Sequence, residues 1–246
     1  MPPMDPTLRK WWPTTQSMDL VDARQEVAAG AVLREYQNFS AAAGFVGLEQ
    51  DTEATTAATL SWHDCPDLDT AFTLVGDFDN CATKALVLPT HSQWSVLWVN
   101  NFLCDGFDSL CHCLTKNSGL RTIHWSAHDA ATTFQSGSMF CVRALVSPEN
   151  LRIAERYVQS AQTDRRWDFF TQGEPLPEEK LAEYAVRRKR DRLDEERLLA
   201  LLGRLNAHPW HSEFYALPGR IGLIERSRAS TCLVRTFAEV LVPPLA

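Results

Sequence analysis

Apolar positions alternate or recur along most of the chain, and their periods predict a mixture of strands and helices. Lys84–Leu88 (K-A-L-V-L) and Trp94–Val99 (W-S-V-L-W-V) are short, nearly continuous apolar runs joined by Pro89-Thr90-His91-Ser92, a strand–turn–strand signature. Thr55–Trp62, Leu120–Trp125 and Met139–Val146 read as further strands, whereas Phe72–Val75 is too short to assign. Arg152–Ser160 and Arg166–Thr171 predict a hairpin across Gln162-Thr163-Asp164. Trp167 and Phe169 share one face of it, Asp168 and Phe170 the other.

Helical spacing covers Asp19–Phe45, with Leu20, Val27, Val32 and Tyr36 near one face and Gly44 and Gly47 at the end. Asp105–Leu114 carries Phe107, Leu110, Cys111 and Leu114 as an amphipathic stripe, and Asn117-Ser118-Gly119 stops it. Pro175 and Pro177 fix a turn that neither strand nor helix can cross. A helix is expected to start at Pro177, with Glu178 and Glu179 at its positive end, and to run to about Asn206 with a break near Arg190. Phe214–Leu217, Ile221–Glu225 and Cys232–Val242 are expected as late strands. Residues 1–17 are Pro-rich and read as an irregular segment that docks Trp11 and Trp12; residues 18–246 read as one domain. Strands and helices do not alternate strictly. The fold class expected is therefore α+β, a mainly antiparallel sheet with flanking helices.

Charge sharpens this picture. The chain carries a net charge of −7, which argues against general binding to nucleic acid or an anionic membrane. The charge is uneven: residues 1–130 hold 7 Lys and Arg against 16 Asp and Glu. Glu49–Asp79 has no Lys or Arg at all. Two readings stay open for that stretch, a solvated surface that keeps the protein soluble or a docking face for a basic partner. The seven cysteines are odd in number and sit among apolar neighbours, which predicts reduced, buried thiols. The N-terminal residues lack the apolar core of a signal peptide, and no apolar run reaches the ~18 residues of a membrane span. Cytoplasmic residence is the expectation.

His63-x-Cys65 and Cys111-His112-Cys113 resemble metal-ligand letters, but no C-x-x-C pair accompanies them and helical neighbours diverge. Cys111 beside His112 is adjacency without a nucleophile's local signature, and His124 and His128 read as packed strand residues. Asp67 and Glu178-Glu179-Lys180 echo a metal-dependent nuclease in letters, in the wrong structural context. The basic run Arg187–Arg192 is interleaved with acids and reads as intrahelical ion pairs. No catalytic residue, metal ligand or cofactor is therefore expected.

One resemblance does emerge. Phe134-Gln-Ser-Gly137, Arg166-Trp-Asp-Phe-Phe170, Gly173-Glu-Pro-Leu-Pro177 and Tyr184 with Arg190-Asp-Arg-Leu193 resemble bacterial polymorphic-toxin immunity proteins of the Immunity protein 52 type. The likeness covers about residues 134–210, and Glu178 stands where such proteins often carry an aromatic. It implies a non-catalytic inhibitor, cognate to a nuclease toxin of the restriction-endonuclease-like class in a type VI secretion setting. The partner expected is then a toxin domain that is basic around its substrate groove. The residues expected to meet it are Asp64, Asp67, Asp69, Asp77, Asp79, Asp105 and Asp108. The alternative is an enzyme, a cysteine hydrolase or a metal-dependent nuclease.

Overall fold

The computed structural model describes residues 6–11, 16–43, 58–101, 108–128, 136–147, 149, 152–163, 166–227 and 232–240. In chain order the elements are α1 (Pro6–Lys10), β1 (Ser17–Asp22), α2 (Gln25–Ala43), β2 (Thr59–Cys65), α3 (Leu68–Val75), β3 (Phe78–Asp79), β4 (Lys84–Leu88), β5 (Trp94–Val99), α4 (Asp108–Ser118), β6 (Thr122–His128), β7 (Gly137–Ser147), β8 (Arg152–Thr163), β9 (Arg166–Gln172), α5 (Glu195–Arg204), β10 (Gly219–Glu225), β11 (Val234–Arg235) and α6 (Phe237–Val240). Nine strands form one open sheet in the order β2-β10-β4-β5-β1-β6-β7-β8-β9, and every neighbouring pair is antiparallel. The α+β class with flanking helices is what the molecule has.

Helices cover both faces of the sheet. On one face Leu8 of α1, Leu68 and Phe72 of α3 and the leucines of α5 pack on Leu20, Leu86, Trp98, Trp125 and Phe140. On the other, α2 and α4 pack on Val21, Val87, Leu97 and Ile224. The central strands thus have no watery side. That is why β4 and β5 read as continuous apolar runs rather than alternating ones, while β8, nearer the rim, alternates.

The expected helix at Asp19–Phe45 is two elements. Ser17–Asp22 is a strand, flanked by β5 and β6 near the middle of the sheet. The helix that follows buries Ala28, Ala29, Ala31, Val32 and Tyr36, whereas Val27 is 54% exposed. A stripe of small residues lets α2 lie close to the sheet, and a search for large apolar residues misses it. Phe72–Val75 ends a true helix. The Asp67 side chain caps it by accepting from Thr70 N at 2.8 Å, and Gly76 closes it with φ of 70°. In the N-terminal segment Pro6–Lys10 is one helical turn, with Leu8 and Trp11 buried; Trp12 lies outside the described residues.

The long helix expected from Pro177 does not form. Two 3-10 turns, Leu181–Ala185 and Lys189–Asp191, carry the chain to Asp194, whose side chain accepts from Arg197 N at 2.9 Å and starts α5. The expected stripe Leu198, Leu201, Leu202 and Leu205 is buried. The cause of the late start is Glu179, which is no dipole partner. Its carboxylate is fully buried and accepts from Arg156 Nε and Nη2 at 2.8 and 2.7 Å, from Leu176 N at 2.8 Å and from Tyr184 Oη at 2.9 Å. Arg156 Nη1 also donates to the carbonyls of Gln172 and Gly173. One ion pair so pins the proline turn onto β8. Farther on, Phe214–Leu217 is a 3-10 turn and a bridge at Tyr215 rather than a strand, and Cys232–Val242 contributes only β11 and α6 among its described residues.

Burial alone would raise the Glu179 carboxyl, but Arg156, the Leu176 N–H and the Tyr184 hydroxyl outweigh it and hold it below the usual carboxylate range. Its contribution to stability is present above about pH 4.5 and is lost as pH falls through the lowered value. Glu179→Ala leaves a buried guanidinium without its counterion. The expected cost is about 3–5 kcal/mol, read from the urea midpoint at neutral pH; a loss below about 1 kcal/mol, the scale of a surface pair, would contradict this role.

Candidate functional site

The acidic residues expected at an interface fall into several different environments. Asp79 is fully buried and cannot belong to a docking face. It accepts from Cys81 N, Thr83 N, the Thr83 hydroxyl and Asn100 Nδ2, and so ties the chain before β4 to the end of β5. Asp69 receives Lys10 Nζ at 2.6 Å and Trp11 Nε1 at 2.8 Å, which holds α1 on α3; those two bonds lower its pKa. Asp108 chelates Arg143 through both oxygens, at 2.6 and 3.0 Å. Asp77 is exposed, and its backbone carbonyl accepts from Asn100 Nδ2. Asp105 lies outside the described residues. Asp64 and Asp67, both exposed, lie together at the end of edge strand β2 and the start of α3, whereas Asp77 follows the far end of that helix. The backbone and side chain of Thr70 bond the Asp67 carboxylate and keep its pKa low, so the cap is also a fixed negative charge. Asp64 pairs with Arg220 across the β2–β10 ladder, and its side chain makes no hydrogen bond or ion pair among the described residues.

A second group of polar residues lies under α4. Register places Asp19, His124, Cys141 and Tyr157 side by side across β1, β6, β7 and β8. Asp19 and His124 are buried, with Nδ1 2.6 Å from Oδ1. Burial works against a charged imidazole, yet the Asp19 carboxylate prevails and the pKa is raised. His124 Nε2 has no partner among the described residues. The Cys111 thiol bonds the same carboxylate; burial first, then Asp19, push its pKa well up. Cys111 is buried, and a thiol held protonated and out of solvent is a poor nucleophile. His112, its neighbour in sequence, plays no part in the pair. Next to this group Arg143 bridges Asp108 and Glu155, with Nε to Oε2 at 2.6 Å.

The third feature is an open cleft of about 490 Å³ lined by His91, Ser92, Asn206, His208, His211, Glu213 and Phe214. The loop before β5 and the chain leaving α5 form its walls. His208 packs edge-on against Trp210 and Phe214, and burial with the nearby His211 lowers its pKa. Among the described residues no three His, Cys, Asp or Glu side chains converge as a metal site requires.

The basic run Arg187–Arg192 is not a helix laced with ion pairs. It crosses the hairpin β8–β9: the Lys189 carbonyl accepts from Ser160 Oγ on one face, and Lys189 Nζ reaches Asp168, which projects from the other. Arg192 lies over the Phe169 ring, whose other neighbour is Tyr184. Phe169 thus serves the fold, packed between a cation and a ring.

The cysteines depart from expectation in one place. Cys65, Cys111 and Cys141 are buried and free, and Cys113 is half-buried and free, but Cys81 and Cys232 form a disulfide.

No family model matches the chain, and no curated protein or solved structure is similar to it.

The pairing of Asp19 with His124 escaped the sequence reading, although each is a lone ionisable residue inside an apolar run, M-D-L-V and T-I-H-W. In such a run burial demands a partner. His128, on the same strand, has Nδ1 3.2 Å from Gln16 Oε1; burial and the charge of His124 lower its pKa to about 4. A histidine kept neutral in the fold but protonated in the unfolded chain costs stability as pH falls from about 6.5 to about 4. His128→Gln should therefore lose less stability than the native protein over that window. Urea midpoints at pH 7, 5.5 and 4.5 check this, and parallel curves for the two proteins would refute it.

Proposed function

We propose that the protein acts by binding rather than by catalysis: it is an immunity protein that neutralises a secreted toxin of nuclease type, by covering the active site or blocking its assembly. The observation that carries the reading is the pair of exposed carboxylates at the junction of β2 and α3, Asp64 and Asp67, in a half of the chain with 7 basic and 16 acidic residues. A nuclease is basic around its substrate groove, and a fixed negative patch speeds encounter with such a surface. The resemblance over residues 134–210 supports the same class, with those residues serving as scaffold. The docking face proposed is narrower than the sequence implied, because Asp79 is interior and Asp69 and Asp108 are spent on cations of the same chain. The cytoplasm, where a toxin would meet its substrate, is the compartment this reading favours. No described helix is long and apolar enough to cross a membrane.

The test is association with the toxin domain encoded beside this gene. Asp67→Asn keeps a capping oxygen while removing charge, and Asp64→Asn removes charge from an exposed site. The double variant should associate about tenfold more slowly at low salt, the difference shrinking as salt rises. Equal rates at every salt concentration would remove this surface from the interface, and failure of the native protein to bind would sink the immunity reading.

A further inference from the structure

We propose that the Cys81–Cys232 disulfide is a redox latch: it clamps the C-terminal segment 232–240 over the aromatic cluster around Trp11 and Phe78, and a dithiol reductant releases that segment. The bond joins positions 151 residues apart. Both sulfurs belong to half-buried residues, whereas Cys65, Cys111 and Cys141 are buried, so a reductant reaches the linked pair with less obstruction.

What the latch holds has little grip of its own. β11 pairs with β3 through only Val234↔Asp79 and Arg235↔Phe78. Leu233 N donates to Asn80 Oδ1 at 2.9 Å, and Asn80 N donates back to the Leu233 carbonyl at 3.3 Å. Leu233 and Val234 are exposed, at 63% and 46%, and α6 buries no residue fully. Its ring contact is Phe237, whose centre lies 4.3 Å from that of Trp11 and 5.9 Å from that of Phe78, and Val240, also half-buried, packs on the same core. A segment with so few buried contacts opens locally at small cost unless a covalent link holds it. The other side of the contact is firm, since Phe78, Trp98 and Phe72 are buried in the main core. Opening would therefore uncover Trp11 and Phe78 and leave the nine-stranded sheet in place.

The chemistry is thiol–disulfide exchange. One thiolate of the reductant attacks Cys81 or Cys232 sulfur and breaks the S–S bond, leaving the other cysteine as a thiol. The reductant's second thiol then displaces the mixed disulfide. Two electrons and two protons pass to the protein, and the reductant leaves as its own disulfide. The latch is closed where the surroundings are oxidising and open at the poise of a reducing cytoplasm.

Limited trypsin digestion followed by mass spectrometry reads the latch through cleavage after Arg235. Without reductant, peptides bearing Cys81 and Cys232 should be recovered linked, and cleavage after Arg235 should be slow. With dithiothreitol, cleavage there should quicken about a hundredfold while the sites after Lys84 in β4, Arg143 in β7 and Arg156 in β8 stay protected. Cys81→Ser and Cys232→Ser should cut at the fast rate with or without reductant, and Cys113→Ser should match the native protein in both states. The native protein's own response to reductant keeps the test independent of how the variants fold. Equal cleavage after Arg235 in oxidised and reduced protein would overturn the proposal, as would loss of protection throughout the sheet.

Discussion

Covering both faces of an antiparallel sheet is the constraint on which the rest of this molecule depends. A strand in the middle of such a sheet has no solvent side, so each polar group on it needs a partner inside the protein. Asp19 finds His124 and the Cys111 thiol, and Ser95 Oγ donates to the Ala23 carbonyl; on the covering helix α2, Tyr36 Oη likewise donates to the Ala82 carbonyl. The same demand explains the two buried carboxylate hubs outside the sheet. Asp79 gathers donors from Cys81, Thr83 and Asn100, and Glu179 gathers them from Arg156, Leu176 and Tyr184. Removing a partner from any of these leaves an unmatched polar group in a low-dielectric interior, which costs more than the bond itself contributes.

The strands were legible wherever their apolar runs were long and bounded by turn residues. Lys84–Leu88 and Trp94–Val99 are strands to the residue, and the hairpin of β8 and β9 has the facing expected. The reading failed where local pattern and long-range packing disagree. Asp19–Asp22 fits a helical period, but its neighbours in space are β5 and β6, which no local window contains. Pro177-Glu178-Glu179 is an apt helix start in isolation, yet the attraction of a guanidinium 23 residues earlier in the chain takes Glu179 into the interior. Counting charges along the sequence showed an acidic half but not which acids face water. Asp69 and Asp108 are answered by Lys10 and Arg143, cations that lie 59 and 35 residues away.

Seen together, these ion pairs recast the electrostatics of the first half of the chain. Near α3 and α4, Asp69 and Asp108 are neutralised by cations of the same chain, and Asp79 is buried among neutral donors. The part that projects into solvent lies at the two ends of α3: Asp64 and Asp67 where β2 hands over to it, on the margin of the sheet, and Asp77 just past its last turn. A partner drawn by charge would meet the molecule there. The polar row under α4 and the histidine-lined cleft stand apart from that margin, on the far strands and at the end of α5 respectively.

The clasp between Lys189 and Asp168 has a consequence for the molecule's neighbours. An open sheet has two ends, and each can template a strand from another chain and begin a polymer. At the β9 end, the Lys189 side chain bends past the last strand and sets a charged amine where an incoming backbone would have to lie. The aromatic Phe170 on that strand is 51% exposed, so an unguarded edge would combine free backbone groups with a sticky ring. The basic run that looks like a binding motif in the sequence thus sets charge beside the last strand, where charge opposes edge-to-edge pairing with another chain.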